Sequence, residues 1–195
     1  MNRKCISLFV LLATFLFLGV FASAYRLLPI AKATYVEGTI TQNTVWTLVD
    51  SPFIVSDNIT VNPGATLTIE PGVQVMFGDT FSLLVNGGII ADGTNDKMIQ
   101  FTSGDVNASA GAWGTIQING NLQSSITNCI VEYGQNGITL TGGSLNLQND
   151  NIEYNLNGTM VNSGSITIQN DEIINNTLDG INIAGGAEAT VKTMC

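Results

Sequence analysis

The chain has 195 residues, of which 45% are hydrophobic and 11% are charged. This composition fits a folded domain with a sizeable core and argues against intrinsic disorder. Fifteen acidic residues outnumber six basic ones, so the net charge is −9, which excludes the basic surface that nucleic acid requires. The chain contains no histidine, which excludes Ser-His-Asp triads, His-ligated zinc and an imidazole pH switch.

The N-terminal segment has the pattern of an export signal. Arg3 and Lys4 precede an apolar run, and small residues follow at 22–24 and 31–33. A basic start, an apolar run and A-x-A sites are typical of a signal peptide, and an uncleaved anchor crossing the membrane through residues 6–25 is the alternative. We therefore assign residues 1–33 to a signal peptide or membrane anchor and predict an extracellular or cell-surface location.

The rest of the chain is strongly acidic. Residues 34–195 keep every acidic residue but only Lys97 and Lys192, which gives them a net charge of −13. Such a surface repels anionic polymers unless a cation screens it. Asn-x-Ser/Thr sequons fit an exported protein, and they make glycosylation candidates of Asn58, Asn107, Asn157 and Asn175.

An internal repeat of 21–22 residues organises the second half of the chain. Asx-Gly corners recur at 136–137, 157–158 and 179–180, and each copy holds three short strand-like pieces. Because no piece can bury its apolar side alone, the repeat predicts a parallel solenoid with three strands per turn and about seven turns. In this register, three isoleucines are expected to stack inside the coil: Ile130, Ile152 and Ile173.

The preceding residues show the same pattern with looser spacing. Turn signals such as Asn62-Pro63-Gly64 separate short strand candidates, and the Gly/Ala/Ser/Asn-rich stretch 102–113 is expected to leave the coil as a loop. We assign residues 34–58 to an N-terminal cap and 59–195 to the solenoid. The chain stops in mid-turn, so we expect further turns or another domain after Cys195.

Several segments resemble the right-handed parallel β-helix proteins of the pectin-lyase-like superfamily, and more narrowly its exported repeat proteins associated with carbohydrate binding and sugar hydrolases. The resemblance implies an all-β fold, a single-stranded right-handed parallel β-helix, here preceded by an N-terminal hydrophobic helix. Superfamily members include polysaccharide lyases, hydrolases, adhesins and surface-layer proteins, so the likeness predicts the fold more sharply than the activity. The segments that carry it are Thr39–Leu48, Ile59–Phe77, Ile99–Ser103, Trp113-Gly114 and Ile126–Tyr133.

Carboxylates are the abundant acid/base groups. In the predicted register Asn128, Asp150 and Asp171 form one column, with the two aspartates ~5 Å apart on adjacent turns. They form either a pair like that of a retaining glycosidase or a ladder of Asx side chains. We favour the ladder, because Asn128 continues it and no cation is present to orient a substrate. Together with Glu153 and Glu172, the aspartates are also candidate Ca²⁺ ligands, and no other cofactor is expected.

Aromatic residues are the next candidates, since flat rings stack on the apolar faces of sugars. Trp113, Tyr133 and Tyr154 are expected either to contact carbohydrate or to pack a loop and finish a corner of the coil. Cys129 and Cys195 fall about three turns apart in the predicted column of Glu172, beyond disulfide reach, so we predict no intrachain disulfide. Cys129 is then a small core or corner residue.

The sequence favours a non-catalytic surface module, acting as a rigid spacer, an adhesion module or a carbohydrate-contact scaffold with a polysaccharide or cell-surface glycan as its partner. One alternative is the N-terminal part of a polysaccharide lyase or glycoside hydrolase, with its site in further turns or on Asp150 and Asp171. Lyases of the resembled superfamily use a basic residue, and residues 34–195 contain no arginine. The other alternative is a surface or periplasmic metal-delivery protein, for which Met194-Cys195 provides adjacent soft ligands.

Overall fold

The computed structural model of the protein describes residues 32–192, which form a parallel β-solenoid of seven coils. Each coil contributes a strand to each of three faces, here called A, B and C. Apart from a single 3₁₀ turn at Leu48–Asp50, the regular structure of residues 32–192 is β-strand. Within these residues no helix has the length and apolar character needed to span a membrane.

The strands of each face run parallel and pair with the equivalent strands of the neighbouring coils. Because β1 and β3 continue around a corner, faces A and B join into one 12-stranded sheet, and face C is a separate sheet of seven strands. Face A contains the first parts of β1 (Thr34–Ile40) and β3 (Phe53–Val61), then β5 (Gln74–Phe77), β8 (Ile99–Ser103), β11 (Cys129–Glu132), β14 (Asn151–Glu153) and β17 (Glu172–Ile174). Face B contains the second parts of β1 and β3, then β6 (Leu83–Val85), β9 (Ile116–Ile118), β12 (Asn136–Leu140), β15 (Asn157–Val161) and β18 (Ile181–Ile183). Face C contains β2 (Thr44–Trp46), β4 (Thr66–Ile69), β7 (Gly88–Asp92), β10 (Gln123–Thr127), β13 (Ser144–Gln148), β16 (Ser165–Gln169) and β19 (Glu188–Lys192).

The predicted solenoid, with three strands per turn and about seven turns, is confirmed. The expected excursion from the coil is present between β8 and β9, as a connection over residues 104–115. Residues 34–58, predicted to be a cap, supply β1, β2 and the first part of β3, and the predicted boundary at residue 59 falls inside β3. The predicted signal or anchor, with its hydrophobic helix, and Cys195 lie outside the described residues.

The core is a set of apolar columns running along the inside of the coil. Alternate residues of each strand point inward, and parallel pairing places each one above its equivalent in the next coil. The predicted isoleucine column is wrong by one residue, because β11 pairs Ile130 with Asn151 and Val131 with Ile152. Ile130 therefore faces outward and is only half-buried, while Val131 is fully buried. The inner column of face A is Phe53, Val75, Phe101, Val131, Ile152 and Ile173.

One polar residue interrupts the inner column of face B. The Thr159 side chain lies between Ile138 and Ile181 of the adjacent coils, and its buried Oγ1 has no hydrogen-bond partner among the described residues. A buried hydroxyl without a partner costs free energy, and valine has nearly the same shape. We therefore expect Thr159→Val to raise the free energy of unfolding by about 1 kcal/mol, measured by urea denaturation.

Thr139 provides the matched control for this substitution. It is also buried, but its Oγ1 shares a hydrogen bond of 3.0 Å with Thr115 Oγ1. Thr139→Val should lower the free energy of unfolding, because it leaves a polar neighbour without a partner. Equal effects of the two substitutions would show that the Thr159 hydroxyl does not destabilise the fold by lacking a hydrogen-bond partner.

Candidate functional site

The two candidate catalytic aspartates are buried, and they hold the backbone at the corner between faces C and A. Asp150 Oδ1 accepts a hydrogen bond from the Cys129 amide at 2.8 Å and its Oδ2 accepts one from the Gln148 amide at 3.0 Å. Asp171 repeats this one coil later, accepting from the Asp150 amide at 2.7 Å and the Gln169 amide at 2.9 Å. Both side chains are inaccessible to solvent, so their oxygens satisfy amides of the coil and have no open path to a substrate.

The ladder interpretation is correct, but its membership differs from the predicted one. The pairing of Ile130 with Asn151 places Cys129, not Asn128, beside Asp150. Asn128 has a left-handed backbone, φ 50°, as do Asn149 and Asn170 of the following coils, at 57° and 59°. Asparagine tolerates this conformation better than most residues, which explains its recurrence at the corner.

The same register moves Cys129 out of the predicted column of Glu172. The Cys129 thiol is buried and free, and it donates to the Ala91 carbonyl oxygen at 3.2 Å. Burial, with the nearby Asp150 carboxyl second, raises the pKa of the Cys129 thiol well above its ordinary value. These features confirm a structural corner residue, since a reactive cysteine needs an exposed thiolate.

Burial also raises the pKa values of the two aspartates in the ladder. It raises the pKa of Asp150 well above its usual value, with the neighbouring Asp171 adding to the rise, while the amide hydrogen bonds oppose it. Burial likewise raises the pKa of Asp171. The protonated carboxyls are therefore favoured in the folded protein relative to the unfolded chain.

This titration gives stability a defined dependence on pH. A carboxyl with a raised pKa in the folded state stabilises the protein fully below its unfolded pKa, ~4, and loses that contribution as the pH rises through the folded value. We therefore expect the urea midpoint to be higher at pH 4.5 than at pH 8, and the difference to shrink in Asp150→Asn. A midpoint that rises with pH would contradict the raised pKa values.

A second ladder, not predicted from the sequence, closes the corner between faces A and B. Asn155 Oδ1 accepts from the Gly134 amide at 2.7 Å, and its Nδ2 donates to the Val131 carbonyl oxygen at 3.0 Å. In the next coil Asn176 Oδ1 accepts from the Asn155 amide at 3.0 Å. Each asparagine is the second residue after a face A strand. This constant spacing is the sequence signal that identifies the ladder once the register is known.

The outer surface of face A carries a polar ladder ending in glutamates. Gln74 Nε2 donates to Gln100 Oε1 at 2.8 Å, and Gln100 Nε2 donates to Glu132 Oε1 at 2.7 Å. Thr102 donates to the same oxygen at 2.9 Å. Glu153 pairs with Glu132 across the coils, so two carboxylates lie side by side on this face.

Burial, followed by the charges of Glu132 and Glu172, raises the pKa of Glu153.

The four candidate calcium ligands lie in two separate places. Asp150 and Asp171 are buried in a corner, whereas Glu153 and Glu172 lie on the outer surface of face A. Within residues 32–192 no three His, Cys, Asp or Glu side chains are placed to hold a metal ion together. Calcium binding stays a prediction.

Two of the three aromatic candidates form a pair on the surface. Tyr133 and Tyr154 follow equivalent strands of adjacent coils, and their rings stack with centroids 6.0 Å apart and an interplanar angle of 19°. Tyr154 is 44% exposed, and Tyr133 is half-buried. The adjacent Glu132 charge raises the pKa of Tyr133. The pair thus presents an aromatic surface flanked by carboxylates.

Trp113 does not belong to this surface. Its ring is fully buried and stacks on Phe77, with centroids 4.1 Å apart and an interplanar angle of 4°. Its Nε1 donates to the Glu132 carbonyl oxygen at 2.7 Å. Trp113 therefore packs the long 104–115 connection onto the coil, and a sugar contact for this residue is wrong because neither ring face is free.

The glycosylation candidates differ in how their side chains are used. Asn58, Asn107 and Asn175 are exposed. Asn157 Nδ2 instead donates to Asn136 Oδ1 at 2.8 Å, so a glycan attached to that nitrogen would disturb this contact between coils. Glycosylation of all four stays a prediction, and Asn58, Asn107 and Asn175 have the surface exposure that it requires.

Comparison with known proteins agrees with the architecture. Residues 38–154 match the family model described as a pectate-lyase like beta helix domain. The match covers more than half of the chain, so this protein belongs to that family, whose fold is a right-handed parallel β-helix.

A shorter likeness extends to a much larger protein. Over 76 residues the chain is 37% identical to Protein bark beetle of Drosophila melanogaster, which covers 37% of this chain and 2% of that protein. The chain therefore spans only a small part of the length of this relative. No solved structure matches the chain significantly.

Proposed function

We propose that this protein is a non-catalytic β-helix module, exported to the cell surface or beyond, that acts as a rigid scaffold for contact with glycans. The observation that carries the proposal is the contrast between the buried aspartates and the tyrosine pair at the surface. The oxygens of the buried aspartates accept hydrogen bonds from backbone amides, whereas the half-buried Tyr133 ring and the exposed Tyr154 ring form a surface suited to a sugar.

Rigidity supports the scaffold role. Every interior coil pairs on all three faces with both neighbours, and side-chain ladders at the corners add hydrogen bonds between coils. Such a solenoid holds surface groups at a fixed spacing of ~4.8 Å between coils. A glycan chain crossing several coils would meet a pre-organised surface, which reduces the entropic cost of binding.

Tyr154→Asn tests the role of the tyrosine pair. The next coil has Asn175 at the equivalent corner with the same left-handed backbone, φ 55°, so this substitution retains a residue that the corner accepts. We expect the purified protein to bind members of a glycan array, and Tyr154→Asn to weaken that binding about tenfold through loss of ring stacking. Tyr35→Ala, on the first coil and 73% exposed, is the control and should bind normally.

Two results would contradict the proposal. Absence of binding to every glycan on the array would remove the glycan-contact role. Turnover of a polysaccharide that is lost in Asp150→Asn or Asp171→Asn, while the protein stays folded, would show that the buried aspartates perform catalysis after all.

A further inference from the structure

A cleft opens at the corner between faces B and C, on the third coil of the solenoid. The connection at this corner has two residues, Asn86-Gly87, whereas the coils on either side have four, at 62–65 and 119–122. The short corner is therefore recessed between two longer ones. The resulting cleft has a volume of about 410 Å³, within the range of ~300–1,000 Å³ typical of small-molecule sites.

The neighbouring corners are held close together, so the cleft is preformed. A side chain at Gly87 would overlap the Ala65 carbonyl oxygen, and one at Gly120 would overlap the Gly87 carbonyl oxygen. Only glycine permits this approach, because the overlapping atoms belong to the backbone.

The cleft is lined by amides and by apolar atoms. Gln117 Nε2 donates to Asn119 Oδ1 at 2.8 Å, and Asn119 Nδ2 donates to Asn86 Oδ1 at 3.0 Å. The chain of hydrogen bonds ends at the Asn86 side chain, whose Nδ2 makes no hydrogen bond within residues 32–192. Pro63 and Leu122 form apolar walls, and Leu122 is 42% exposed. No charged residue lines the cleft.

We propose that this cleft binds one uncharged sugar unit of a glycan chain. The inference rests on the proposed glycan-contact role and adds to it a second binding site and a ligand class. The free Asn86 Nδ2 can donate to a sugar hydroxyl, and the Pro63 and Leu122 walls match the C–H face of a pyranose ring. A uronate is disfavoured, because the cleft has no cation to offset a carboxylate and residues 34–195 have a net charge of −13.

The ligand class is tested with matched oligosaccharides. Titration calorimetry would use six-unit gluco-, manno-, xylo- and galacto-oligosaccharides, together with oligogalacturonate, which differs from the galactose series by its carboxylates. We expect at least one uncharged oligosaccharide to bind, and oligogalacturonate to bind at least tenfold more weakly than any bound galactose oligomer.

The site is tested by two substitutions. Asn86→Asp keeps the oxygen that accepts from Asn119 and replaces the free amide donor with a charged acceptor, and Leu122→Ser removes an exposed apolar wall. Each should weaken binding of the uncharged oligosaccharide about tenfold with the melting temperature unchanged. Leu178→Ser, which changes a leucine that is 69% exposed on the last coil, is the control and should bind like the wild type.

The outcomes separate this inference from the proposed function. Binding that is lost in Tyr154→Asn but retained in both Asn86→Asp and Leu122→Ser overturns the cleft and leaves the glycan-contact role intact. Binding of oligogalacturonate as tight as that of the uncharged oligomers overturns the ligand class. If no oligosaccharide of the series binds, the cleft inference is overturned, and the glycan array then decides the proposed function separately.

Discussion

Val131→Asn is expected to destabilise the protein by about 4 kcal/mol, whereas Ile130→Asn changes its stability by less than about 1 kcal/mol. Val131 is fully buried between Phe101 and Ile152. An asparagine there loses the burial of an apolar side chain and places an amide where no partner is available. Ile130 faces outward above Asn151, so Ile130→Asn reproduces the residue of the next coil.

Urea denaturation of the two variants, followed by circular dichroism, measures this difference. The comparison is well controlled, because the two residues are adjacent and receive the same side chain. A larger loss in Ile130→Asn than in Val131→Asn would mean that β11 is shifted by one residue and that its opposite side faces the core.

Asp150→Ala is expected to lower the free energy of unfolding by about 2–4 kcal/mol. The substitution leaves the amides of Cys129 and Gln148 without their acceptors, at a position closed to water. Asp150→Asn should cost roughly half as much, because one of its two side-chain atoms can still accept.

Asp96→Ala is the control for this prediction, since Asp96 is exposed in the turn between β7 and β8. The free energy of unfolding of the Asp96→Ala protein should stay within about 0.5 kcal/mol of that of the wild type. An Asp150→Ala protein as stable as the Asp96→Ala protein would show that the buried carboxyl is not needed to hold the corner.

The repeat predicted the solenoid because apolar residues and Asx-Gly corners recur together at a nearly constant interval. The same evidence could not fix the register within each strand. In β11 the run Cys129-Ile130-Val131 is apolar throughout, so alternation does not distinguish the inward residues. Matching isoleucine with isoleucine selected Ile130, whereas the pairing with β14 selects Val131.

The site was predictable only where one residue type repeats in register. Asp150 and Asp171 recur at an interval of 21 residues, so their ladder could be predicted from the sequence. The burial of Trp113 depends on the path of the 104–115 connection, which the sequence does not determine. The cleft beside Asn86 depends on the lengths of three successive corners, and these are known only once the strands have exact bounds.

Disulfide formation between engineered cysteines tests the parallel stacking of the coils most directly. Asn146 and Thr167 are paired on face C, at the ~4.8 Å separation of neighbouring strands, which a disulfide can span. With Cys5 and Cys195 changed to serine, Asn146→Cys/Thr167→Cys should form an intrachain disulfide under mild oxidation, and the offset pair Asn146→Cys/Gln169→Cys should not. Oxidation of the offset pair alone would contradict the stacking from which the ladders, the tyrosine pair and the cleft all follow.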